Sequence, residues 1–113
     1  MKIGFLLHKS PEHQDAYTVR RLAEAFVEEG HETSIFLMED GIFNAINPIT
    51  NSDKRLSAGF DILISKGVKI AMCTHTANLR GIERGNFLKG VDFHSQYDLS
   101  QMIKECDRFL SFV

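Results

Sequence analysis

Short apolar runs alternate with longer stretches of helical spacing along the chain. Ile3–Leu7 contains no charged residue, which is typical of a strand buried on both faces. The next stretch has Ser10 as a candidate N-cap and Pro11 at a tolerated first helical position, followed by apolar residues at helical spacing as far as Val27. Gly30 then supplies a stop signal. The pattern predicts a strand followed by a helix.

The same alternation continues to the last residues. It predicts further strands and helices: strands at Glu32–Met38, Val68–Cys73, Val91–His94 and Phe109–Val113, and helices at Asp53–Lys66, about Thr76–Arg80 and Asp98–Asp107. A short hook from Asp40 to Ile46 follows the second strand, and a surface loop runs from Asn47 to Ser52.

Strands that alternate with helices are typical of a parallel sheet covered on both faces. We therefore expect residues 1–113 to form a single α/β domain, a flavodoxin-like parallel sheet of about five strands with helices on both faces. The expected strand order is 2-1-3-4-5, with functional groups at the carboxyl ends of the strands.

Composition and charge exclude several classes of function. The 113 residues suffice for one core, and 43% hydrophobic with 25% charged residues is ordinary for a globular protein. A net charge of -2 gives no reason to expect binding to nucleic acid or to anionic membranes. No apolar run approaches the roughly 20 residues that span a bilayer, and the amino-terminal apolar segment is too short for a secretory signal. We expect a cytoplasmic protein.

Cys73 is the first candidate for chemistry. It ends the third predicted strand and precedes a helical turn, so its sulfur is expected at the functional edge, exposed and near backbone N–H groups that favour a thiolate. From position alone, a small buried cysteine without a chemical role is an equally open interpretation.

The second cysteine, Cys106, has a more structural pattern. It shares a predicted helical face with Leu99, Met102 and Ile103, which favours burial and a packing role. A redox pair of Cys73 with Cys106 is disfavoured, because the two are predicted near opposite edges of the sheet. Without a CxxC motif, both are expected as free thiols.

Four stretches together carry a family resemblance. The segment Ile70–Gly81, in which an apolar strand ends in cysteine and an Arg-Gly pair follows, resembles the cysteine segment of the DsrE/DsrF-like (TusD-like) sulfur-relay family. Gly30–Glu32, Asp40–Ala45 and Cys106–Phe109 are similar to further parts of that family. The helix after the cysteine is more polar here than the Ala-rich TusD-like version.

The resemblance implies a function for the thiol. Cys73 would accept sulfane sulfur as a persulfide and pass it to a partner thiol, as a sulfurtransferase or sulfur carrier in tRNA thiolation or in sulfur oxidation or reduction. It also implies sulfur-donor and sulfur-acceptor proteins as partners, and a homo-oligomer (trimer or hexamer) or a hetero-oligomer of related subunits. The alternative is a non-catalytic homo-oligomeric binding or scaffold module of the same fold. Self-association is also suggested by Ile42, Phe43 and Ile46, which are apolar residues in the hook.

Three residues are candidates to support the thiol. His75 lies two residues after Cys73, and His8 follows the first strand, which neighbours the third in the expected order. Each imidazole could take the proton of the thiol or stabilise its anion, and each could equally be a solvated loop residue. Arg80 could attract an anionic donor or could lie solvated.

No cofactor is expected. Cys73-x-His75 is not the paired spacing of structural zinc sites, which disfavours a metal site. The loop after the first strand lacks the Gly-rich run that binds phosphate, which disfavours flavin.

Overall fold

Five parallel strands form one sheet in the computed structural model, which describes residues 1–47 and 59–113. The strands are β1 (Lys2–Leu7), β2 (Glu32–Leu37), β3 (Lys69–Cys73), β4 (Val91–His94) and β5 (Arg108–Phe112). The helices are α1 (Gln14–Glu28), α2 (Phe60–Ser65), α3 (Thr74–Leu79) and α4 (Gln96–Glu105), with 3₁₀ helices at Glu39–Ala45, here called the hook, and at Arg84–Asn86. The predicted α/β class with a parallel flavodoxin-like sheet is confirmed.

The order of the strands differs from the prediction. The sheet runs β4-β3-β2-β1-β5, so β1 lies between β2 and β5 and does not border β3. The expected order 2-1-3-4-5 is wrong. The reason is that each inner strand has an apolar carboxyl half, so these strands suit several neighbours, and the paths of the connections decide the order.

The two faces of the sheet are covered unequally. On one face, the odd-numbered residues of β1 and β2 pack under α1 and α2 in the main core, with Phe5, Ile35 and Leu63 fully buried. The other face carries a small cluster of Phe36, Met38 and Cys73, packed against Leu99 and Met102 of α4. No residue of α4 is buried. Helices cover both faces, as predicted, but the second face is left partly open.

The hook packs against the end of β1. Gly41 lies so close to the Leu7 carbonyl that a Cβ at this position would overlap it, and Asn44 donates hydrogen bonds of 2.9 Å to the carbonyls of Lys9 and Gly41. Ile42 and Ile46 are buried in the main core. Ile42 and Ile46, which the sequence suggests for self-association because they lie beyond the sheet, are therefore core residues, and that expectation is wrong for them.

Two helices begin at residues other than those predicted, because their N-caps differ from the expected ones. Ser10 does not cap α1, because its hydroxyl donates to Glu12 and the helix begins at Gln14. Ser95 caps α4 in a capping box with Asp98, which starts this helix at Gln96, before the predicted Asp98.

The predicted loop to Ser52 and the first part of the helix predicted from Asp53 lie outside the described residues. Among the helices of the described ranges, none has the length and apolar character needed to cross a membrane.

Candidate functional site

Cys73 lies at the carboxyl end of β3 and is also the N-cap residue of α3. Its position at this edge of the sheet agrees with the sequence pattern, but its predicted exposure is wrong, because the side chain is only 1% exposed. The alternation along β3 directs it to the thinly covered face, where it contacts the cluster of Phe36 and Met38. The thiol is therefore at the functional edge and beneath the surface.

An open cleft of about 630 Å³ runs past the thiol, here called the Cys73 cleft. It lies between the ends of β3 and β4 and the first turns of α3 and α4. Most of the residues that line it are of polar type: Cys73, Thr74, His75, Asn78, Phe93, His94, Ser95, Gln96 and Asp98. A small group that enters this cleft has hydroxyl, amide and imidazole groups within reach.

His94 is the ionisable residue that β4 places in register with Cys73. It ends β4 and is the register partner of Cys73. Because registered residues of parallel strands send their side chains to the same face, the imidazole and the thiol extend from the same face of the sheet, on strands about 4.8 Å apart. No hydrogen bond joins the two side chains within the part of the chain that the structure describes.

The His94 ring is held by a carboxylate. Its Nδ1 lies 3.2 Å from Oδ2 of Asp98, one helical turn further along the chain. The backbone N–H of Ser95 donates a hydrogen bond to the same carboxylate, and this bond is the main reason that the pKa of Asp98 is below its usual value. The Ser95 hydroxyl and the neighbouring His94 also lower this pKa, whereas desolvation acts to raise it. A carboxylate of lowered pKa stays charged near neutral pH and favours a proton on the Nδ1 that faces it.

Sequence reasoning missed this residue although its signal was available. The fourth strand was predicted as Val91–His94, the range that the structure shows, and the third and fourth strands were expected side by side. The same rule that placed Cys73 at the carboxyl edge also places His94 there.

The structure does not gather around the thiol the three residues that were predicted to support it. His75 is exposed on α3 and lines the Cys73 cleft. His8 follows β1, which is separated from β3 by β2, so the expected neighbour relation of these two strands is wrong. Arg80 does not line this cleft, and its guanidinium pairs with Asp40 at 2.9 Å and Glu39 at 3.4 Å.

Cys106 lies at the other end of the sheet. It is the C-cap residue beyond α4, so its predicted place on the helical face is wrong, and its Sγ packs so closely on Gly4 that a Cβ there would be 2.8 Å away. Partial burial raises the pKa of this thiol. Three strand spacings, about 14 Å, separate β5 from β3, which agrees with the expectation that the two cysteines do not form a redox pair. Both thiols are free.

A second cleft of about 250 Å³ crosses the thinly covered face. It has Cys106, Phe36 and Lys69 in its walls, and it shares His94 and Asp98 with the Cys73 cleft. In residues 1–47 and 59–113, no group of three or more His, Cys, Asp or Glu side chains is gathered closely enough to hold a metal ion.

Comparison with known families decides the relationship of the chain. The sequence profile of the DsrE/DsrF-like family matches residues 1–112. The chain belongs to the DsrE/DsrF-like family.

Relatives of this DsrE/DsrF-like protein match along almost their whole length. An uncharacterized protein of Methanopyrus kandleri is 29% identical, over 97% of this chain and 93% of the relative. One from Methanocaldococcus jannaschii is 26% identical, over 99% of this chain and 100% of the relative.

Among solved structures, the YchN protein of E. coli superposes with a TM-score of 0.86 at 22% identity, covering 99% of each chain. A protein of unknown function from Methanobacterium thermoautotrophicum has a TM-score of 0.74 at 15% identity, covering 96% of this chain and 97% of that one. At these identities the likeness concerns the DsrE-like fold.

Proposed function

We propose that this DsrE/DsrF-like protein is a cytoplasmic sulfur-relay protein, in which Cys73 accepts sulfane sulfur as a persulfide and passes it to a partner thiol. The observation that carries the proposal is the place of Cys73 at the carboxyl end of β3, in the wall of an open cleft lined by hydroxyl, amide and imidazole side chains. Ligand sites of open α/β sheets lie at this edge. Membership of the family supports the same chemistry.

The transfer needs only thiol chemistry. The Cys73 thiolate attacks the terminal sulfur of a donor persulfide, R–S–SH, so that a bond forms between Cys73 and that sulfur while the bond to the donor sulfur breaks. The donor leaves as a thiolate and takes up a proton. A partner thiolate then repeats the exchange at the Cys73 persulfide. No external oxidant or reductant is consumed, and a thiolate rather than a thiol is the attacking species.

Low exposure of Cys73 is compatible with such a carrier. A terminal sulfur is small enough to enter the Cys73 cleft, whereas a bulky thiol or oxidant is excluded from a side chain that is 1% exposed. Because access governs thiol exchange and oxidation, a covered persulfide survives until a fitting acceptor presents its thiol. We propose donor and acceptor proteins as the partners, each of which presents the sulfur of one cysteine side chain to this cleft.

We also propose that the protein forms a homo-oligomer through the thinly covered face. No residue of α4 is buried, and Ile103 and Tyr97 on this helix are 46% and 72% exposed. Burial of such apolar groups against a second copy is favourable. Sedimentation velocity is expected to give a species larger than a monomer, and Ile103→Lys on the exposed side of α4 is expected to dissociate it. A monomer for the wild type at micromolar concentration would contradict the assembly.

The experiment for the transfer is mass spectrometry of the intact protein after incubation with a small persulfide donor. Wild type and Cys106→Ala are expected to gain the mass of one sulfur atom, removable by reductant, whereas Cys73→Ser gains none. Circular dichroism checks that both variants are folded. Equal reducible sulfur on Cys73→Ser would assign the transfer to another group.

One observation favours a second candidate, a non-catalytic scaffold in which Cys73 only packs. The thiol lies in an apolar cluster with Phe36 and Met38 and is almost fully covered. A scaffold predicts that native wild-type protein gains no reducible sulfur while unfolded protein does. Sulfur uptake by the native protein would exclude it.

A further inference from the structure

We propose that His94 is the general base that takes the proton of Cys73 before sulfur attack, and that Asp98 is the positioning residue that orients its ring. The assignment deepens the proposed function and rests on it. It rests on the geometry of three side chains: the register pair of Cys73 with His94, the 3.2 Å contact of His94 Nδ1 with Asp98, and the common wall of the Cys73 cleft.

The ring has the orientation that a base requires. With Nδ1 facing a carboxylate, the proton of the neutral imidazole belongs on Nδ1 and the lone pair on Nε2, which is then free to accept a proton. A nucleophile, a base and a third group that orients the base form the general arrangement of activated thiols and hydroxyls. The two side chains form no hydrogen bond within the described residues, and hydrogen bonds between a base and its nucleophile commonly tighten only when substrate is bound.

The other charged groups near the thiol leave His94 as the best-placed base. β2 contributes apolar Phe36 and Met38 to the surroundings of Cys73, and α4 contributes Leu99 and Met102 with Asp98 at the cleft wall. In the hook, Glu39 and Asp40 are engaged by Arg80 of the α3 C-cap.

His75 on α3 is the competing imidazole, since it lines the same cleft. It is exposed, and within the described residues it has no carboxylate partner that would fix its ring. An unfixed, solvated imidazole is a weaker candidate because catalysis by a base depends on positioning.

The proton of Cys73 passes through His94 to the leaving donor thiolate. The S–H proton of Cys73 moves to Nε2 of His94, and the imidazolium is stabilised by the Asp98 carboxylate. The thiolate attacks the sulfane sulfur, the donor leaves as a thiolate, and the imidazolium returns the proton to it. Bonds and charges balance, and nothing besides donor and protein is consumed.

The test measures thiol ionisation without sulfur transfer. In a Cys106→Ala background, the rate at which iodoacetamide, a small neutral reagent, alkylates Cys73 is followed by mass spectrometry from about pH 6 to about pH 10. His94→Gln is expected to lower the rate near neutral pH by about tenfold or more. The difference closes at alkaline pH, where hydroxide ionises the thiol without a base.

Matched variants separate proton transfer from packing. His75→Gln, in the same cleft, is expected to leave the pH profile unchanged. Asp98→Asn is expected to lower the neutral-pH rate, and Asp98→Glu to restore most of it, because glutamate also completes a capping box with Ser95. His94 is 42% exposed, so its replacement is expected to leave the fold intact.

The results separate the role of His94, the role of Asp98 and the sulfur-relay function. An unchanged profile for His94→Gln, or a larger loss for His75→Gln, overturns the assignment. If Asp98→Glu behaves as Asp98→Asn, the orienting role of Asp98 is overturned. If the wild type takes up no sulfur but His94→Gln changes the alkylation profile as stated, the sulfur-relay function fails while the assignment of the base stands.

Discussion

Arg80 joins the helix that follows Cys73 to the hook through a 2.9 Å contact of its Nη1 with Oδ1 of Asp40. Its second nitrogen lies 3.4 Å from Glu39, and the guanidinium stands 5.8 Å from the ring centre of Phe43. Two stretches that were recognised separately in the sequence therefore meet in space. The arginine of the Arg-Gly pair holds α3 against the hook that follows β2.

Loss of this contact is expected to destabilise the fold modestly. Arg80→Ala should lower the free energy of unfolding by about 1 kcal/mol, because exposed ion pairs contribute little and the stacking on Phe43 adds to them. Arg80→Lys should have a free energy of unfolding between those of wild type and Arg80→Ala, because an ammonium group cannot bind two carboxylates with the planar geometry of a guanidinium. Urea unfolding measures both. An Arg80→Lys variant less stable than Arg80→Ala would contradict this role.

Gly41 is expected to tolerate no larger residue. A Cβ there overlaps the carbonyl of Leu7, so Gly41→Ala should cost about 1–3 kcal/mol through displacement of the hook. Gly85 is the matched control, since a Cβ on it meets no atom within 4 Å and its φ is not positive. Gly85→Ala should change stability by less than about 0.5 kcal/mol. Equal effects of the two substitutions in urea unfolding would refute the steric argument.

The Asp98 carboxylate is expected to make the free energy of unfolding depend on pH in the acidic range. Its pKa is lowered in the folded state, chiefly by the Ser95 N–H, so its contribution is present above the unfolded pKa and is lost as the pH falls through the folded pKa. Asp98→Asn should therefore be less stable than wild type at neutral pH, and the difference should shrink below about pH 4, where aspartate ordinarily titrates. Unfolding curves at both pH values test this. If the difference in the free energy of unfolding between wild type and Asp98→Asn grew in acid, the stabilising role of the Asp98 carboxylate would be contradicted.

Cys106 is expected to react slowly at neutral pH although it is only partly covered. Burial raises its pKa, so the neutral thiol predominates in the folded protein. In a Cys73→Ser background, iodoacetamide should modify native Cys106 more slowly than the same residue in urea, and the two rates should converge as the pH rises. Equal rates at neutral pH would show that burial has no effect on this thiol.

Much of the architecture follows from sequence because it depends on local patterns. Charge-free runs such as Ile3–Leu7 predict strands buried on both faces, and glycine and capping residues mark most helix ends to within a few residues. The same local pattern places Cys73 at the carboxyl end of β3, where groups of open sheets gather. The family resemblance likewise depends on short stretches in order along the chain.

The arrangement around the thiol was decided only by packing in three dimensions. The apolar carboxyl halves of the inner strands allow several orders, and the order found places β2 between His8 and Cys73. Side-chain burial depends on what covers a face, so the cluster under α4 encloses Cys73, whereas Cys106, beyond the end of that helix, stays partly open. The sequence alone determined the parallel α/β sheet and the edge at which its cysteine lies. Only the tertiary structure decided which residues surround that sulfur, because neighbours on adjacent strands are set by register and crossover rather than by separation along the chain.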